Sequence, residues 1–314
     1  MLNRRTLLTA MIASAAVPAR AATPLQVVAT TGMIGDAARR IGGQHVAVRD
    51  LMGPGVDPHA YRQTRSDIVA MTRADAVLWH GLYLEAQMES FFEDLARRLP
   101  VTAIAEDLPH SDLISHADYN GRFDPHVWMD PKLWSGCADA VHAALLALKP
   151  QAQVDFDAYL ASFKAEAAAL EQYAREMLAK VPADQRVLVT AHDAFSYFGR
   201  AYGFEVLGVQ GISTESEAGL NRISELVDII VKRKLRAVFI ETSVSDRNVR
   251  ALIEGAAAQG HDVAIGGSLY SDAMGAPGTY EGTWLGMIDH NVTTIAGALG
   301  ADVPARGRLG QLGS

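Results

Sequence analysis

The chain has 314 residues, of which 49% are hydrophobic and 20% charged, enough material for about two globular domains. A formal net charge of −8 excludes the basic surface of a nucleic-acid-binding protein, so no nucleic-acid partner is expected. The single cysteine, Cys137, excludes an intramolecular disulfide framework and any zinc site built from several cysteines. Its helical surroundings predict a small core residue.

The N-terminus has the pattern of an export signal. Arg4 and Arg5 precede an apolar run at 7–17, and Ala19-Arg20-Ala21 fits a cleavage site between small residues. We therefore predict a signal peptide at 1–21, with the general secretory and twin-arginine routes both open. No cysteine follows the run to carry a lipid anchor, and no later stretch is apolar enough to span a membrane. The mature protein is expected to be soluble and outside the cytoplasm.

Short apolar strands alternate with helical segments along the rest of the chain. This alternation predicts an α/β fold with mostly parallel sheets flanked by helices. The predicted strands are 26–30, 46–51, 76–79, 101–105, 186–190, 205–209, 237–240 and 262–265. The predicted helices are 33–41, 65–72, 84–99, 132–148, 154–181, 195–202, 221–233, 246–259 and 281–299.

The helix at 154–181 organises this pattern. Its apolar residues recur every three or four positions, and Pro150 and Pro182 bracket it without interrupting it. About 28 helical residues span ~42 Å, more than the diameter of a small domain. We predict one long rigid helix joining two lobes, with an ordinary helix on a single domain as the alternative. The predicted divisions are an N-terminal lobe at 24–150, a linking helix at 151–182 and a C-terminal lobe at 183–314.

Two copies of one tripeptide stand in loops that lead into helices: Asp57-Pro58-His59 and Asp124-Pro125-His126. Ligand-binding groups of parallel sheets cluster in loops at the carboxyl ends of strands. Proline restrains the backbone on both sides of its ring, so each histidine is held on stiff chain. Each aspartate could accept a hydrogen bond from the second imidazole nitrogen, as around metal-bound histidines. Ordinary turn chemistry is the alternative reading of either tripeptide alone.

Two further candidates follow strands in the second half. His192 follows the strand 186–190, and Asp272 follows the strand 262–265 and a predicted Gly266-Gly267 turn. Together with His59 and His126 they make a donor set of three nitrogens and one oxygen, which suits tetrahedral zinc. A bidentate aspartate would make room for manganese. Glu241, at the end of another strand, is a hydrogen-bond acceptor or a substitute ligand at the same rim.

The remaining histidines are poorer candidates. His110 and His116 lie on a polar loop predicted at 110–122, where a solvated role is favoured and a transient metal contact stays open. His80 ends a buried strand and is expected to be hydrogen-bonded there. The others fall at turns or on helix faces and need no function: His45, His142, His261 and His290.

Four motifs in order carry a family resemblance, namely Gly-Val-Asp-Pro-His ending at His59, the segment 124–131, His192-Asp-Ala-Phe-Ser-Tyr-Phe and Ser-Asp-Ala-Met-Gly around Asp272. The chain resembles the substrate-binding proteins of zinc and manganese ABC importers, the cluster A-I metal receptors. The resemblance covers nearly the whole mature chain. It implies two α/β lobes joined by a rigid backbone helix, with the metal buried between them.

The resemblance also implies that His59, His126, His192 and Asp272 are the metal ligands. It further implies a monomeric periplasmic receptor that delivers one zinc or manganese ion to a membrane permease with its ATPase. Manganese-selective members usually carry glutamate where this chain has His192, and many zinc receptors carry a long histidine-rich loop that is short here. Both metals stay open, with zinc favoured by the donor set.

Two other functions compete with a metal receptor. An exported zinc-dependent hydrolase would use the three histidines as ligands and Asp272 or Glu241 as general base. No HExxH helix or GxSxG elbow occurs in the sequence, and four protein ligands leave no open position on the metal. The other competitor is a receptor for a small organic solute bound between the lobes.

Overall fold

The computed structural model describes residues 23–115 and 121–313. The predicted export signal at 1–21 and His116 lie outside the described residues. Within them, no helix combines the length and apolar character needed to cross a membrane.

The described chain contains three parallel sheets, one of four strands and two of two strands. Its strands are β1 (Leu25–Ala29), β2 (Val46–Asp50), β3 (Ala76–Trp79), β4 (Val101–Ala103), β5 (Val187–Thr190), β6 (Glu205–Gly208), β7 (Ala237–Glu241) and β8 (Ala264–Leu269). The first four form one sheet in the order β2-β1-β3-β4, while β5 pairs with β6 and β7 with β8. All of these pairings are parallel, and β5 lies beside β7. The predicted fold class is confirmed.

Helices cover the sheets and join the two halves. They are α1 (Gly32–Gly42), α2 (Arg65–Arg73), α3 (Glu89–Leu95), α4 (Pro131–Leu148), α5 (Gln153–Leu178), α6 (Ser196–Tyr202), α7 (Leu220–Arg233), α8 (Arg247–Ala258) and α9 (Trp284–Ala298). Several begin at capping side chains that satisfy free backbone N–H groups. Thr64 does so for α2 in a reciprocal pair with Asp67, and Asp130 does so for α4.

The predicted long helix is α5, whose 26 residues span ~39 Å. It packs against α1 and α4 of the first half and against α6 and α9 of the second. Its buried residues, among them Phe156, Phe163 and Leu170, carry the predicted apolar stripe. One helix therefore contributes to the packing of both halves, which fixes their spacing.

Two predicted elements differ from the structure. The predicted helix 84–99 is shorter, a single turn at Ala86–Met88 followed by α3. The predicted turn at Gly266-Gly267 is instead part of β8, where a bulge opposite Val238 and Phe239 accommodates an extra residue. A Cβ on Gly266 would lie 2.6 Å from the Phe239 ring. These glycines therefore serve a bulge and a close contact inside a strand.

Tryptophan side chains join the two halves by ring packing and by indole hydrogen bonds. Trp284 of α9 packs against Trp134 of α4 and Phe163 of α5, with ring centroids 6.1 and 5.8 Å apart. Its indole N–H donates to the carbonyl of Trp128 (3.0 Å), and the indole N–H of Trp128 donates to the carbonyl of Ser271 (2.8 Å). A continuous core therefore runs between the halves directly behind the loop that carries Asp272.

Candidate metal centre

The fold brings together all four residues that the sequence singled out. His59 lies in the loop after β2, His126 just before α4, His192 after β5 and Asp272 after β8. One nitrogen or oxygen from each lies within 4.8 Å of the others. All four side chains are buried. Among the described residues, this is the one group of histidine, cysteine and acidic side chains placed to hold a metal ion.

The separations within the group are those of a metal coordination sphere. The Nε2 atom of His126 lies 3.3 Å from the Nε2 atoms of both His59 and His192. The two Asp272 oxygens lie 3.3 Å from the Nε2 atoms of His126 and His192, respectively. A tetrahedral ion with bonds of ~2.0–2.1 Å holds its ligands ~3.3–3.4 Å apart. The side chains therefore surround a space of the size that zinc requires.

His126 is oriented by the aspartate of its own tripeptide, as predicted. Asp124 Oδ1 accepts hydrogen bonds from His126 Nδ1–H (2.7 Å) and from the His126 backbone N–H (2.9 Å). A carboxylate can only accept here, so Nδ1 carries the proton and Nε2 is left for a metal.

Glu241 does the same for His192 from the end of β7. Its Oε2 accepts from His192 Nδ1–H, and its Oε1 accepts from the His192 backbone N–H at 2.9 Å. Of the two predicted roles, the structure places Glu241 as a hydrogen-bond acceptor. Both of its oxygens are occupied by His192, so it does not replace one of the four grouped side chains.

His59 is held in another way, and the prediction that Asp57 would bind its ring is wrong. Asp57 Oδ1 accepts from the His59 backbone N–H at 2.8 Å. Its Oδ2 accepts from the hydroxyl of Thr214, which belongs to the second half of the chain. No sequence pattern pointed to Thr214, because it stands 157 positions from its partner.

Asp272 presents a carboxylate that the protein leaves partly unsatisfied. Its buried Oδ1 makes no hydrogen bond, although His126 Nε2 lies 3.3 Å away, and its Oδ2 faces His192 Nε2 at 3.3 Å and the Ser243 hydroxyl at 3.5 Å. A buried carboxylate oxygen without a partner is costly, whereas a cation beside it removes that cost. The bond from Trp128 to the carbonyl of Ser271 fixes the loop from which this carboxylate extends.

The three histidines differ in proton affinity. Burial lowers the pKa of His59 to about 3. Burial opposes protonation of His126 as well, but the carboxylates of Asp124 and Asp272 outweigh it and raise its pKa to about 9. The carboxylates of Glu241 and Asp272 likewise overcome burial and raise the pKa of His192 well above its usual value. The group thus attracts positive charge, carried by protons or by a metal.

Asp272 shows the complementary effect. Burial would raise its pKa, but the neighbouring His192 and His126 outweigh burial and hold its pKa well below the usual range. The carboxylate is therefore ionised across the physiological range.

The other histidines lie outside the group. His80 is buried, and its Nε2 bonds the carbonyl of Pro125 at 2.6 Å, as expected for a hydrogen-bonded core histidine. His45 and His142 pair with Asp155 and Asp157 of α5. His110 is exposed and packs on the ring of Phe123.

Comparison with known proteins identifies the family. The model of the zinc-uptake complex component A family, described as periplasmic, matches residues 27–298. The chain belongs to this family. It is 47% identical over 273 residues to the zinc-binding protein TroA of Treponema pallidum, covering 87% of this chain and 88% of TroA. It is 46% identical over 275 residues to the manganese-binding lipoprotein MntA of Bacillus subtilis, covering 88% of this chain and 90% of MntA.

The solved structure of periplasmic TroA from Treponema pallidum has the same fold. It superposes with a TM-score of 0.86 at 46% identity, covering 88% of this chain and 99% of TroA. The chain is therefore a solute-binding protein that captures zinc or manganese for import by an ABC transporter. It acts outside the cytoplasm as a component of a metal uptake complex. Because the family consists of transport receptors, the hydrolase alternative is excluded.

Proposed function

We propose that His59, His126, His192 and Asp272 are the ligands of the transported ion, one per chain, and that zinc is the favoured ion. The observation that carries this proposal is the 3.3 Å spacing of the facing atoms in a fully buried group. The unpartnered oxygen of Asp272 supports it, since a cation would satisfy that atom.

The preference for zinc rests on the donor set. Three imidazole nitrogens and one carboxylate oxygen form a closed tetrahedral site, which suits zinc. However, both oxygens of Asp272 face the histidine nitrogens at the same distance. Bidentate binding by this carboxylate would add a ligand and favour manganese. The names of the two relatives reflect the same division, since TroA is called zinc-binding and MntA manganese-binding.

The chain is further proposed to work as a periplasmic monomer that hands its ion to a membrane permease with its ATPase, without a nucleic-acid partner. Removal of a signal peptide at 1–21 would release it, and the one cysteine, Cys137, is buried in α4 and unable to carry a lipid anchor. The proposed lobes are 24–150 and 183–314, joined by the helix at 151–182. Strands β1–β4 form one sheet, while β5 pairs with β6 and β7 with β8, which supports this division.

The test is elemental analysis of the purified protein, followed by competitive titration of the metal-stripped form with zinc and manganese. We expect about one zinc per chain that excess manganese does not displace. The variant His126→Ala should lose more than the 10- to 100-fold in affinity that removal of a ligand's supporting group costs. His110→Ala, a change at an exposed histidine, is the matched control and should bind as the wild type does.

Three results would each refute part of the proposal. Wild-type affinity in His126→Ala would remove the assignment of the ligands. Failure of the wild type to bind either metal would remove the proposed site altogether. Comparable binding of manganese and zinc would overturn the preference for zinc and indicate that Asp272 binds through both oxygens.

A further inference from the structure

A loop of the second half reaches across the metal centre to the first half. We call residues 211–219, between β6 and α7, the crossing loop. The hydroxyl of Thr214 donates to Asp57 Oδ2, and the amide of Gln87 donates to Glu215 Oε1 at 2.6 Å. Asp57 and Gln87 both belong to the first half, so two adjacent residues of the crossing loop bind it.

The base of the crossing loop is tied to the other side of the metal centre. The carbonyl of Gly211 accepts from the backbone N–H of Asp193, the residue directly after His192. The amide of Gln210 donates to the carbonyls of Thr214 (3.4 Å) and Ser216 (3.0 Å), which holds the loop in its folded shape. The loop thus connects the backbone beside one proposed ligand to the aspartate beside another.

His59 depends on this loop in a way that the other histidines do not. His126 is oriented by Asp124, two positions away, and His192 by Glu241, within the same half. The backbone of His59 is held by Asp57, whose other oxygen is bound by Thr214 from the opposite half. A separation of the halves would therefore remove part of the support of His59 and leave that of His126 and His192 in place.

We infer that the crossing loop closes the metal centre and that Thr214 is a positioning residue, which holds His59 through Asp57. The inference rests on the proposed function, since it requires His59 to be a ligand. Removal of the Thr214 hydroxyl should let Asp57 and the His59 backbone move and should speed escape of the ion. Loss of one hydrogen bond to the partly buried Asp57 carboxylate corresponds to roughly 10-fold faster release.

The experiment measures zinc release from the loaded protein to excess chelator by stopped flow. Thr214→Val keeps the shape of the side chain and removes its donor, so we expect faster release. Thr214→Ser restores a hydroxyl and should return the rate towards that of the wild type. Ser213→Ala is the matched control, because the Ser213 hydroxyl accepts a long hydrogen bond from the backbone N–H of Glu215 in the same loop (3.4 Å) and does not bond Asp57.

A double-mutant cycle separates a role through His59 from a general loss of structure. If Thr214 acts through His59, Thr214→Val should have no further effect on release in a His59→Ala background. An equal acceleration in that background, or in Ser213→Ala, would overturn the inference. The inference would also be overturned if Thr214→Val released zinc at the wild-type rate while weak binding by His59→Ala showed that His59 is a ligand. A His59→Ala variant with wild-type affinity would instead show that the proposed ligand set is wrong.

Discussion

Replacement of Glu241 by glutamine tests how the metal centre is prepared for its ion. In the wild type the two oxygens of Glu241 accept from Nδ1–H and the backbone N–H of His192. Glutamine has one acceptor oxygen, so its amide group must face one of these two donors. The backbone N–H can only donate and takes the glutamine oxygen, so the amide N–H group faces Nδ1. Nδ1 must then accept, which places the imidazole proton on Nε2, the atom that must bind the metal. Loss of such a supporting group typically costs 10- to 100-fold in affinity, or about 1.4–2.7 kcal/mol.

The same variant should change the number of protons that the metal displaces. Neighbouring carboxylates raise the pKa of His126 to about 9 and the pKa of His192 well above its usual value, so this pair binds protons that a metal must displace. His59, with a pKa of about 3, does not. Metal binding to the wild type should therefore release protons from this pair. Without the charge of Glu241, the pKa of His192 falls, and metal binding to Glu241→Gln should release fewer protons than metal binding to the wild type.

Isothermal titration calorimetry at pH 7, in two buffers with different heats of ionisation, measures both affinity and proton release. Glu225→Gln is the matched control, since Glu225 is an exposed carboxylate paired with Arg222 on α7. Its affinity and proton count should equal those of the wild type. If Glu241→Gln also shows wild-type affinity and proton count, the orienting role of Glu241 is refuted.

Two further predictions concern stability. Metal at 100 times its dissociation constant should raise the free energy of unfolding by about 2.7 kcal/mol and the melting temperature by roughly 4 °C. No shift in a thermal scan with zinc or manganese would contradict a site assembled only in the folded state. Burial raises the pKa of Glu85 to about 7, although Thr30 and the His80 backbone donate to it. The folded protein thus holds a proton on Glu85 that the unfolded chain loses near pH 4.5. The stabilisation that this proton gives is therefore full below pH 4.5 and is lost as the pH rises through 7. The free energy of unfolding, measured with urea from pH 4.5 to 8, should show this loss in the wild type and not in Glu85→Gln. Identical pH profiles for the two proteins would refute the role of Glu85.

Much of the metal centre could be predicted because its residues carry local signals. His192 directly follows a strand of apolar residues, and the carboxyl ends of parallel strands meet at one edge of a sheet. The two Asp-Pro-His tripeptides combine a stiff backbone with a metal-binding side chain within three positions. The order of these motifs along the chain then indicated the family, and with it a site between two halves.

Other features could not be predicted, because neighbouring residues do not determine them. Gly266-Gly267 has the composition of a turn, and only the Phe239 ring packed against it shows why glycine is needed inside β8. Asp57 and Asp124 occupy the same place in identical tripeptides, yet only Asp124 binds its histidine ring. What distinguishes them is Thr214, which approaches Asp57 from the opposite half.

The contacts that join the halves are the least visible in the sequence and bear most directly on transport. Trp128 lies 143 positions from Ser271, and Thr214 lies 157 positions from Asp57. Each half offers two of the proposed ligands, and the histidines oriented by carboxylates receive that support within their own half. Neither half alone can therefore form a closed four-ligand site, so the affinity for the ion includes the free energy of docking the halves. It follows that a receptor built in this way can release its ion when the contacts between the halves are disturbed, with no chemical change in any ligand.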